Sequence, residues 1–360
     1  MTKMTMTMTT TTMLGVVVRQ PCAPCSRNAG RSGWEARGTL PLEGTALQRW
    51  TAGCLRLQRA NMRSQAWLDG MGGGGATKNG TMCVGVASHP NPTKSNGGED
   101  AHFALPGRGF YGVADGVGGW EEFGVNSNEY SAALMREAER VANGGASARL
   151  MPAEVMSKAF DAAQKRARGS STCTVVKVSG NAGSAVLQAA VLGDSTFVVI
   201  RMSSLTGRYA VVYRSPFQEH EYNMPYQLGE ESDDTPAKAA LVEFALSPGQ
   251  DFIVLGSDGL FDNVFDEEIV DAIERIISGA ECEPPGTCDM NEGVAEVAEH
   301  IAAIALRRST STSGDSPFAR ECNERGFDRK GKIVPKWKRV MSSTEGGKVD
   351  DITALVIGLT

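Results

Sequence analysis

The sequence predicts an α+β fold in which two antiparallel β-sheets are flanked by α-helices. From about Met82 onward, short apolar runs alternate with turns, as is typical of a chain rich in β-strands. Some runs, such as residues 197–200, are apolar at consecutive positions and therefore need burial on both faces of a sheet. The runs between residues 172 and 213 have no helical segment between them, which favours antiparallel pairing. Segments with helical periodicity supply the elements that would cover the sheets.

The individual elements follow from the apolar spacing. The predicted strands are Met82–Ala87, Phe110–Ala114, Thr172–Val178, Ala185–Leu192, Thr196–Arg201, Tyr209–Tyr213, Phe252–Leu255 and Ile352–Leu359. Four helices are predicted from apolar residues three and four positions apart. They are one capped by Asp266, one from Tyr130 to Val141, one that begins at Pro152 and one from Val294 to Ile304.

The amino-terminal segment differs in composition from the rest of the chain. Residues 1–65 carry a net charge of +7, whereas the whole chain carries −6. This segment is rich in Arg, Ser and Thr and poor in acids, and it lacks a long apolar run. Residues 1–70 are therefore predicted to be a disordered leader and an organellar transit peptide for the mitochondrial matrix or the chloroplast stroma. A tail without targeting function, and hence a cytosolic protein, is the alternative.

The remaining boundaries follow from glycine content and from breaks in the periodicity. Residues 71–81 include four consecutive glycines and are predicted to be a linker. Residues 82–360 are predicted to form one folded domain. Segments 278–290 and 309–348 lack periodicity and are interpreted as loop insertions.

Composition excludes several classes of partner. The acidic balance gives no basis for nucleic-acid binding. No stretch approaches the roughly 18 apolar residues of a membrane span. The eight cysteines do not follow the spacing of a zinc ribbon. We expect no nucleic-acid partner and no transmembrane segment, and a monomer.

Acidic residues concentrate at the ends of predicted strands. They are Glu99, Asp100, Asp115, Asp194, Asp258, Asp262, Asp350 and Asp351. Strand ends in a sandwich converge on one edge, where a group of acids would repel strongly unless cations neutralised them. Hard oxygen ligands select Mg²⁺, Mn²⁺ or Ca²⁺. An Asp-Gly pair alone is more typical of a turn, but the repetition at strand ends favours a metal centre.

The order of the motifs resembles the PPM (type 2C) protein phosphatases over residues 82–360. The motifs are Gly98-Glu-Asp-Ala-His-Phe103, Val113-Ala-Asp-Gly-Val-Gly-Gly119, Ser170-Ser-Thr172, Leu192-Gly-Asp-Ser195, Gly256-Ser-Asp-Gly-Leu-Phe-Asp262 and Val349-Asp-Asp-Ile-Thr353. Residues 115–120, 226–228, 260–263 and 316–318 are similar to the organellar PPTC7-like subgroup. The resemblance implies the type 2C sandwich of two antiparallel sheets and a centre that holds two Mn²⁺ or Mg²⁺ ions.

The resemblance implies roles for the ligands of these two ions. Asp115 would bridge them, and Gly116 would offer its carbonyl to the first. Asp258 and Asp350 would hold the second. Asp351 stands where the family usually has Asn, so the choice of Asp350 over Asp351 depends on the register of the motif.

Further carboxylates would support the reaction. Glu99 and Asp100 match the family's Glu-Asp pair, which acts on metal-bound waters. Asp194 and Asp262, with Asp258, match a weaker site for a third ion. Together with Asp115 and Asp258, Glu99 and Asp100 are the predicted catalytic residues.

The chain departs from the family pattern at two positions. The arginine that grips the phosphate in many members is Ser95, so Lys94 is the predicted substitute, although it lacks a bidentate fork. The histidine that protonates the leaving alcohol in many members is Val117. His102 is a nearby base, but a lone histidine beside a strand is more often structural.

The resemblance implies a protein phosphatase that hydrolyses phosphoserine and phosphothreonine in phosphorylated proteins, with a water held between the two ions as nucleophile. A catalytically inactive binding module on the same fold is one alternative. A metal-dependent phosphatase of small phosphate esters is the other.

Overall fold

The computed structural model describes residues 16–19, 82–94, 97–145, 149–181, 183–278, 289–339 and 343–359. The side chains of residues 16–19 are not described. The leader and linker predicted for residues 1–81 lie outside these ranges, apart from residues 16–19. Most of the insertion predicted at residues 278–290 lies outside them as well.

β-Strands occupy the centre of the fold. In chain order they are β1 (Val16–Arg19), β2 (Met82–His89), β3 (Asp100–Leu105), β4 (Phe110–Asp115), β5 (Ser170–Ser171), β6 (Cys173–Asn181), β7 (Ser184–Leu192), β8 (Thr196–Met202), β9 (Tyr209–Arg214), β10 (Glu219–Glu221), β11 (Met224–Pro225), β12 (Leu228–Gly229), β13 (Ala240–Leu246), β14 (Asp251–Gly256) and β15 (Ile352–Leu359). A six-stranded sheet has the order β1-β13-β7-β6-β4-β3, and a five-stranded sheet has the order β2-β15-β14-β8-β9. Neighbouring strands in both sheets are antiparallel. The short strands form two further pairs, β10-β11 and β12-β5.

The α-helices of the described residues are α1 (Ser127–Ala142), α2 (Pro152–Ala163), α3 (Asp258–Phe261), α4 (Asp266–Ile277), α5 (Met290–Ser309), α6 (Pro317–Arg325) and α7 (Lys336–Arg339). Four long ones (α1, α2, α4 and α5) cover the two large sheets, and three shorter ones (α3, α6 and α7) lie in the connections that precede or follow them. Helices α1 and α2 contact the six-stranded sheet, whereas α4 and α5 contact the five-stranded sheet. Among the helices that the structure describes, none combines the length and apolar character of a membrane span.

Apolar side chains fill three layers. Between the sheets lie large buried residues such as Tyr111, Phe197 and Ile253. A second cluster joins the six-stranded sheet to α1 and α2, and a third joins the five-stranded sheet to α4 and α5. Strands β8, β14 and β15 contact two of these layers, which explains why their apolar residues are consecutive.

This architecture confirms the predicted fold class of two antiparallel sheets flanked by helices. The eight predicted strands and four predicted helices are present, with bounds shifted by a few residues. Asp266 was predicted to cap helix α4, but it is the first helical residue; the cap position is Phe265, whose N–H donates to the Glu268 carboxylate at 3.0 Å.

Several elements differ from the sequence prediction, among them the short strands β1, β5, β10, β11 and β12, which were not predicted. Strands β3 and β13 were not predicted, because their apolar residues alternate with polar or small ones. Segment 309–348 was interpreted as a loop insertion, but it contains α6 and α7. Helix α6 begins at the buried Ser316, whose hydroxyl accepts the Ala319 N–H and donates to the Gly346 carbonyl. Capping of this kind makes the segment a fixed part of the domain.

Candidate active site

Carboxylates from the six-stranded sheet meet at one end of the sandwich. Asp100 is the first residue of β3 and Asp115 the last of β4, and the two are register partners in the antiparallel pair. Asp194 lies in the turn after β7, one residue beyond Gly193. The Asp115 N–H donates to Thr172 Oγ1 at 3.0 Å, and Thr172 Oγ1 lies 2.8 Å from Ser195 Oγ. These hydroxyls fix the end of β4 beside the turn that carries Asp194.

Carboxylates from the five-stranded sheet approach the same point. Asp258 begins α3 immediately after β14, Asp262 follows α3, and Asp350 precedes β15. Asp115 and Asp258 lie within hydrogen-bonding range of each other, although they come from different sheets. The cluster is therefore formed only where the two sheets pack together.

A hydroxyl bridge connects the two halves. Ser257 donates its hydroxyl to Asp100 Oδ2 at 2.7 Å and accepts the Thr353 N–H at 3.1 Å. Ser257 is fully buried, so these contacts are protected from water. The bridge holds the start of β3 against the ends of β14 and β15.

At two Asp-Gly positions, the absence of a Cβ atom on the glycine allows neighbouring backbone segments to approach closely. A Cβ atom on Gly259 would lie 1.9 Å from the Asp351 carbonyl oxygen. A Cβ atom on Gly116 would lie 2.9 Å from the carbonyl oxygens of Glu99 and Ser127. The glycines therefore serve backbone packing around the cluster, not a tight hairpin turn.

Burial and mutual repulsion raise the pKa of most of these acids. Burial, with Asp350 and Asp351 nearby, raises the pKa of Asp100 to about 8. Burial and the charges of Asp100 and Asp258 hold the pKa of Asp115 well above its ordinary value. Burial and Asp258 have the same effect on the pKa of Asp194. The site therefore disfavours the negative charge that its own residues carry.

The pKa values of Asp262 and Asp350 are also raised, whereas the pKa of Asp258 is lowered. Burial raises the pKa of Asp262 to about 7 and, with the charge of Asp258, the pKa of Asp350 to about 6. Burial alone would raise the pKa of Asp258 as well, but the ammonium of Lys348 outweighs it and lowers that pKa.

Lys348 is a member of the site that the sequence analysis missed. Its Nζ forms an ion pair with Asp258 Oδ2 and lies 3.0 Å from Asp262 Oδ2 and 3.4 Å from Asp350 Oδ2. The side chain is 18% exposed. The signal available in the sequence was its position two residues before Asp350, but the interpretation of 309–348 as a loop removed it from consideration.

Lys94, Glu99 and Asp351 form a second group beside the first. Asp351 Oδ1 accepts the Asn91 N–H at 2.6 Å, and Oδ2 accepts the Glu99 N–H at 2.9 Å. Lys94 Nζ forms an ion pair with Glu99 Oε2 and lies 3.2 Å from Asp351 Oδ2. Both oxygens of Asp351 are thus engaged by backbone donors, whereas Asp350 faces Lys348.

The remaining positions that the sequence analysis considered for the phosphate ligand or the general acid lie outside these contacts. His102 is on the edge strand β3 with an exposed side chain, and among the described hydrogen bonds and ion pairs none joins it to the carboxylates. Ser95 lies outside the described residues. Val117 occupies the loop after Gly116, and its carbonyl accepts the Ser127 hydroxyl at 2.6 Å.

The donor set suits a hard divalent cation. Four buried carboxylate oxygens, one each on Glu99, Asp100, Asp194 and Asp258, have no hydrogen-bond partner among the described residues. Unpartnered anionic oxygens at such positions are costly, and oxygen ligands are those that Mg²⁺ and Mn²⁺ prefer. In the described part of the chain, however, no three acidic, histidine or cysteine side chains already surround one point as metal ligands would. The ammonium of Lys348 lies between three of the acids instead.

An open groove begins at this cluster. It encloses about 400 Å³ and is lined by Asp194, Thr196, Arg214, Ser215, Phe217, Glu219, Tyr222, Asn223, Asp258, Phe261, Asp262, Val264, Phe265, Asp266, Glu267, Pro317, Phe318, Arg320, Glu321 and Lys348. One wall is the β10–β11 hairpin, which is tied to α6 by an ion pair of 2.8 Å between Glu219 and Arg325. Tyr222 of the hairpin also stacks on Phe327, with ring centroids 4.3 Å apart. Lys94 is not among the residues that line the groove.

Comparisons with known proteins identify relatives of one kind. No protein-family model matches the chain. The protein named "Probable protein phosphatase 2C 55" from Arabidopsis thaliana is 34% identical over 269 residues, which are 74% of this chain and 49% of the relative. "Probable protein phosphatase 2C 26" from the same plant is 33% identical over 280 residues, 77% of this chain and 83% of the relative. The chain thus spans about half of the first relative and most of the second.

A solved structure agrees with these matches. The structure described as the photosystem II phosphatase PBCP is 34% identical in sequence, with a TM-score of 0.64. The match covers 78% of this chain and 99% of that one. Since a relative that is 33% identical is matched over 83% of its length, the chain belongs to the type 2C (PPM) family of protein phosphatases.

Proposed function

We propose that this protein is a metal-dependent protein serine/threonine phosphatase that uses Mn²⁺ or Mg²⁺ ions. The observation that carries the proposal is the cluster of six aspartates from both sheets. A buried oxygen on each of three of them, and one on the neighbouring Glu99, lacks a hydrogen-bond partner among the described residues. Such a cluster is stable and useful only when cations neutralise it. Family membership supports the same assignment.

The geometry of the cluster supports an assignment of the ligands. Asp115 lies between the acids of the two sheets and is the residue best placed to join two ions. Asp258 and Asp350 face each other across Lys348 and would hold the second ion. Asp351 would serve as a support for Glu99 and the 90–94 loop, since its oxygens are occupied by backbone N–H groups. Asp194 and Asp262 would hold a weaker third ion with Asp258.

The chain's own residues would prepare the site for an in-line displacement. When bound, the divalent ions supply an activated water near neutral pH and neutralise the charge that builds on the phosphoryl oxygens. Glu99 Oε1 and Asp100 Oδ1 are free to accept hydrogen bonds from water molecules at the site. Ser257 fixes the orientation of Asp100, and Lys94 that of Glu99. Water at the cluster would thereby be oriented before substrate binds.

The groove favours a phosphorylated protein as substrate. It is open along its length, and its wall includes Phe217, which is 53% exposed. A small phosphate ester is usually held in an enclosed pocket, whereas an extended peptide segment needs an open channel with exposed apolar and charged side chains. The phosphoester would lie at the carboxylate end and the flanking residues along the groove.

We also propose an organellar location within the PPTC7-like subgroup. The basic, acid-poor leader supports import into a mitochondrion or a plastid. The similarity to a phosphatase described as acting on photosystem II supports the plastid.

The test is hydrolysis of phosphoserine and phosphothreonine peptides by the full-length protein, measured as phosphate release with Mn²⁺, with Mg²⁺ and after exhaustive EDTA treatment. We expect turnover only with the ions, and its recovery when they are returned. Activity that survives EDTA would refute the mechanism. No turnover of any peptide would favour the inactive binding module, and faster turnover of phosphorylated metabolites than of peptides would favour the small-ester phosphatase.

A further inference from the structure

Lys348 supplies positive charge at the centre of the acidic cluster. Its ammonium contacts Asp258, Asp262 and Asp350 at once, and no other lysine or arginine in the described residues is ion-paired to these three acids. The same three acids are proposed above as ligands of the second and third ions. One set of oxygens is therefore shared by a lysine and by the ions that the site would bind.

The backbone of Lys348 is held in place by hydrogen bonds to the side chain of Asn263. The buried side chain of Asn263 accepts the Lys348 N–H at 3.0 Å and donates to the Lys348 carbonyl at 2.8 Å. The same amide donates to the Gly259 carbonyl at 2.9 Å. Asn263 thus couples the start of the lysine side chain to α3, which carries Asp258. A chance contact of a surface lysine would have no such support.

An ammonium and a divalent ion cannot both occupy the space between these oxygens. Each needs direct contact with the carboxylates, and their positive charges would repel at such short range. The lysine has a flexible stem of four carbons, and its side chain also lines the open groove. Its head can therefore leave the acids while the backbone stays bound to Asn263.

We propose that Lys348 is a built-in cation that neutralises Asp258, Asp262 and Asp350 until a divalent ion binds to them, and that the ion displaces its ammonium into the groove. This inference rests on the proposed metal centre. Lys348 would then lower the affinity for the ions while keeping the ion-free protein folded, and it would face the groove once the ions are bound.

The direct test is chemical labelling of lysine amines, read by mass spectrometry at each residue in EDTA and in saturating Mn²⁺. We expect Lys348 to be protected in EDTA and to become several-fold more reactive with Mn²⁺. Lys238 is the matched control, because it is paired with Asp234 at 2.9 Å and lies outside the cluster. Unchanged or lower reactivity of Lys348 with Mn²⁺ bound would overturn the inference.

Two substitutions give an independent readout. Lys348→Met keeps the length but removes the charge, so Mn²⁺ binding measured by isothermal titration calorimetry should become tighter by at least about tenfold, equivalent to roughly 1.4 kcal/mol. Its Tm in EDTA should fall below that of the wild type, because three acids lose their cation. Lys348→Arg, which keeps the charge, should remain near wild type in both measurements. Equal or weaker Mn²⁺ binding by Lys348→Met would contradict the displacement.

The calorimetry on wild-type protein separates the two proposals. If no Mn²⁺ binds at all, the proposed metal-dependent function fails. If Mn²⁺ binds and supports turnover but Lys348 labelling is unchanged, only the displacement fails. Since labelling uses the unaltered protein, the inference is tested even if Lys348→Met does not fold in EDTA.

Discussion

Asp100 and Asp115 are direct partners across the antiparallel pair β3–β4, so that two acids face each other at the end of one sheet. Like charges at directly opposed positions destabilise a sheet. The hydrogen bond from the Ser257 hydroxyl to Asp100 Oδ2 offsets only part of the repulsion between the two acids. The pair therefore favours protonation, with the pKa values of both acids raised, until a bound cation takes the place of the protons, and the first two predictions concern this balance.

Replacement of Asp115 or Asp258 by Ala should abolish most of the activity without unfolding the protein. Each change removes a ligand, and we expect turnover of a phosphopeptide in Mn²⁺ to fall by at least about 100-fold, as when a key electrostatic stabiliser is removed. The loss of one acid also reduces repulsion, so Tm in EDTA should not fall by more than a few degrees. Near-normal turnover in either variant would remove that residue from the active site.

The stability of the protein in EDTA should decrease as the pH rises from about 5 to 8. Burial raises the pKa of Asp350 to about 6, of Asp262 to about 7 and of Asp100 to about 8, all above their ordinary value of 3.8. In this range the folded protein binds more protons than the unfolded chain, so the free energy of unfolding falls with pH. Asp258 has a lowered pKa and stays ionised throughout.

The measurement is Tm against pH in EDTA and in saturating Mn²⁺. Bound ions should flatten or reverse the slope, because they replace the protons. Asp100→Asn should reduce the slope in EDTA, since its amide does not titrate. A stability in EDTA that rises over this range would mean that the acids are not held at raised pKa values.

Gly259→Ala should lower both Tm and the affinity for Mn²⁺. An added Cβ would lie 1.9 Å from the Asp351 carbonyl oxygen, so α3 and the start of β15 would have to separate. That movement would pull Asp258 away from Asp350. Gly107→Ala is the matched control, because a Cβ there would have no atom within 4 Å. Equal effects of the two changes on Mn²⁺ affinity would show that Gly259 has no special role at the site.

Lys94→Ala should raise KM for phosphopeptides by about fivefold to thirtyfold, which corresponds to a lost charged hydrogen bond of roughly 1–2 kcal/mol. The structure adds a second expectation. Because Lys94 is paired with Glu99 and Asp351, the variant should also lower Tm. Lys94→Arg should retain Tm. Unchanged KM with lower Tm would assign Lys94 to the support of Glu99 and not to the phosphate.

The leader should direct a reporter to an organelle and should be dispensable for catalysis. A fusion of residues 1–70 to a fluorescent protein should reach a mitochondrion or a plastid, whereas the protein that begins near residue 71 should retain its kcat. Because Val16–Arg19 form the edge strand β1 and pair with β13, the shortened protein should have a slightly lower Tm. A fusion that remains in the cytosol would contradict the targeting proposal.

Elements that depend on residues close together in the sequence were predictable, whereas contacts between residues far apart in the sequence were not. Strands such as β8 and β14 were predictable because burial on both faces requires consecutive apolar residues, a local signal. Strand β13 was not, since only its alternate residues are buried and Glu243 interrupts the apolar run. The Asp-Gly motifs indicated the site through their positions at strand ends.

The contacts of Lys348 were not predictable from the sequence, although its position two residues before Asp350 was visible there. Its partners Asp258 and Asp262 are separated from it by some 90 and 86 residues in the sequence, and nothing local to residue 348 specifies them. Its placement depends on Asn263, which fixes the backbone from the other side of the site. The choice of Asp350 over Asp351 came from the register of the motif, but the backbone donors of Asn91 and Glu99 that occupy Asp351 could not be seen in the sequence.

The contribution of both sheets to one cluster has a thermodynamic consequence. Half of the six aspartates belong to each sheet, so neither sheet alone presents a complete set of ligands. Only the closed sandwich would bind the ions, and the native state would gain stability by mass action as the free ion concentration rises. The melting temperature would then vary with ion concentration in the way that a ligand-linked equilibrium does. Fluctuations in the supply of Mn²⁺ or Mg²⁺ would alter the lifetime of the folded protein as well as its rate of turnover.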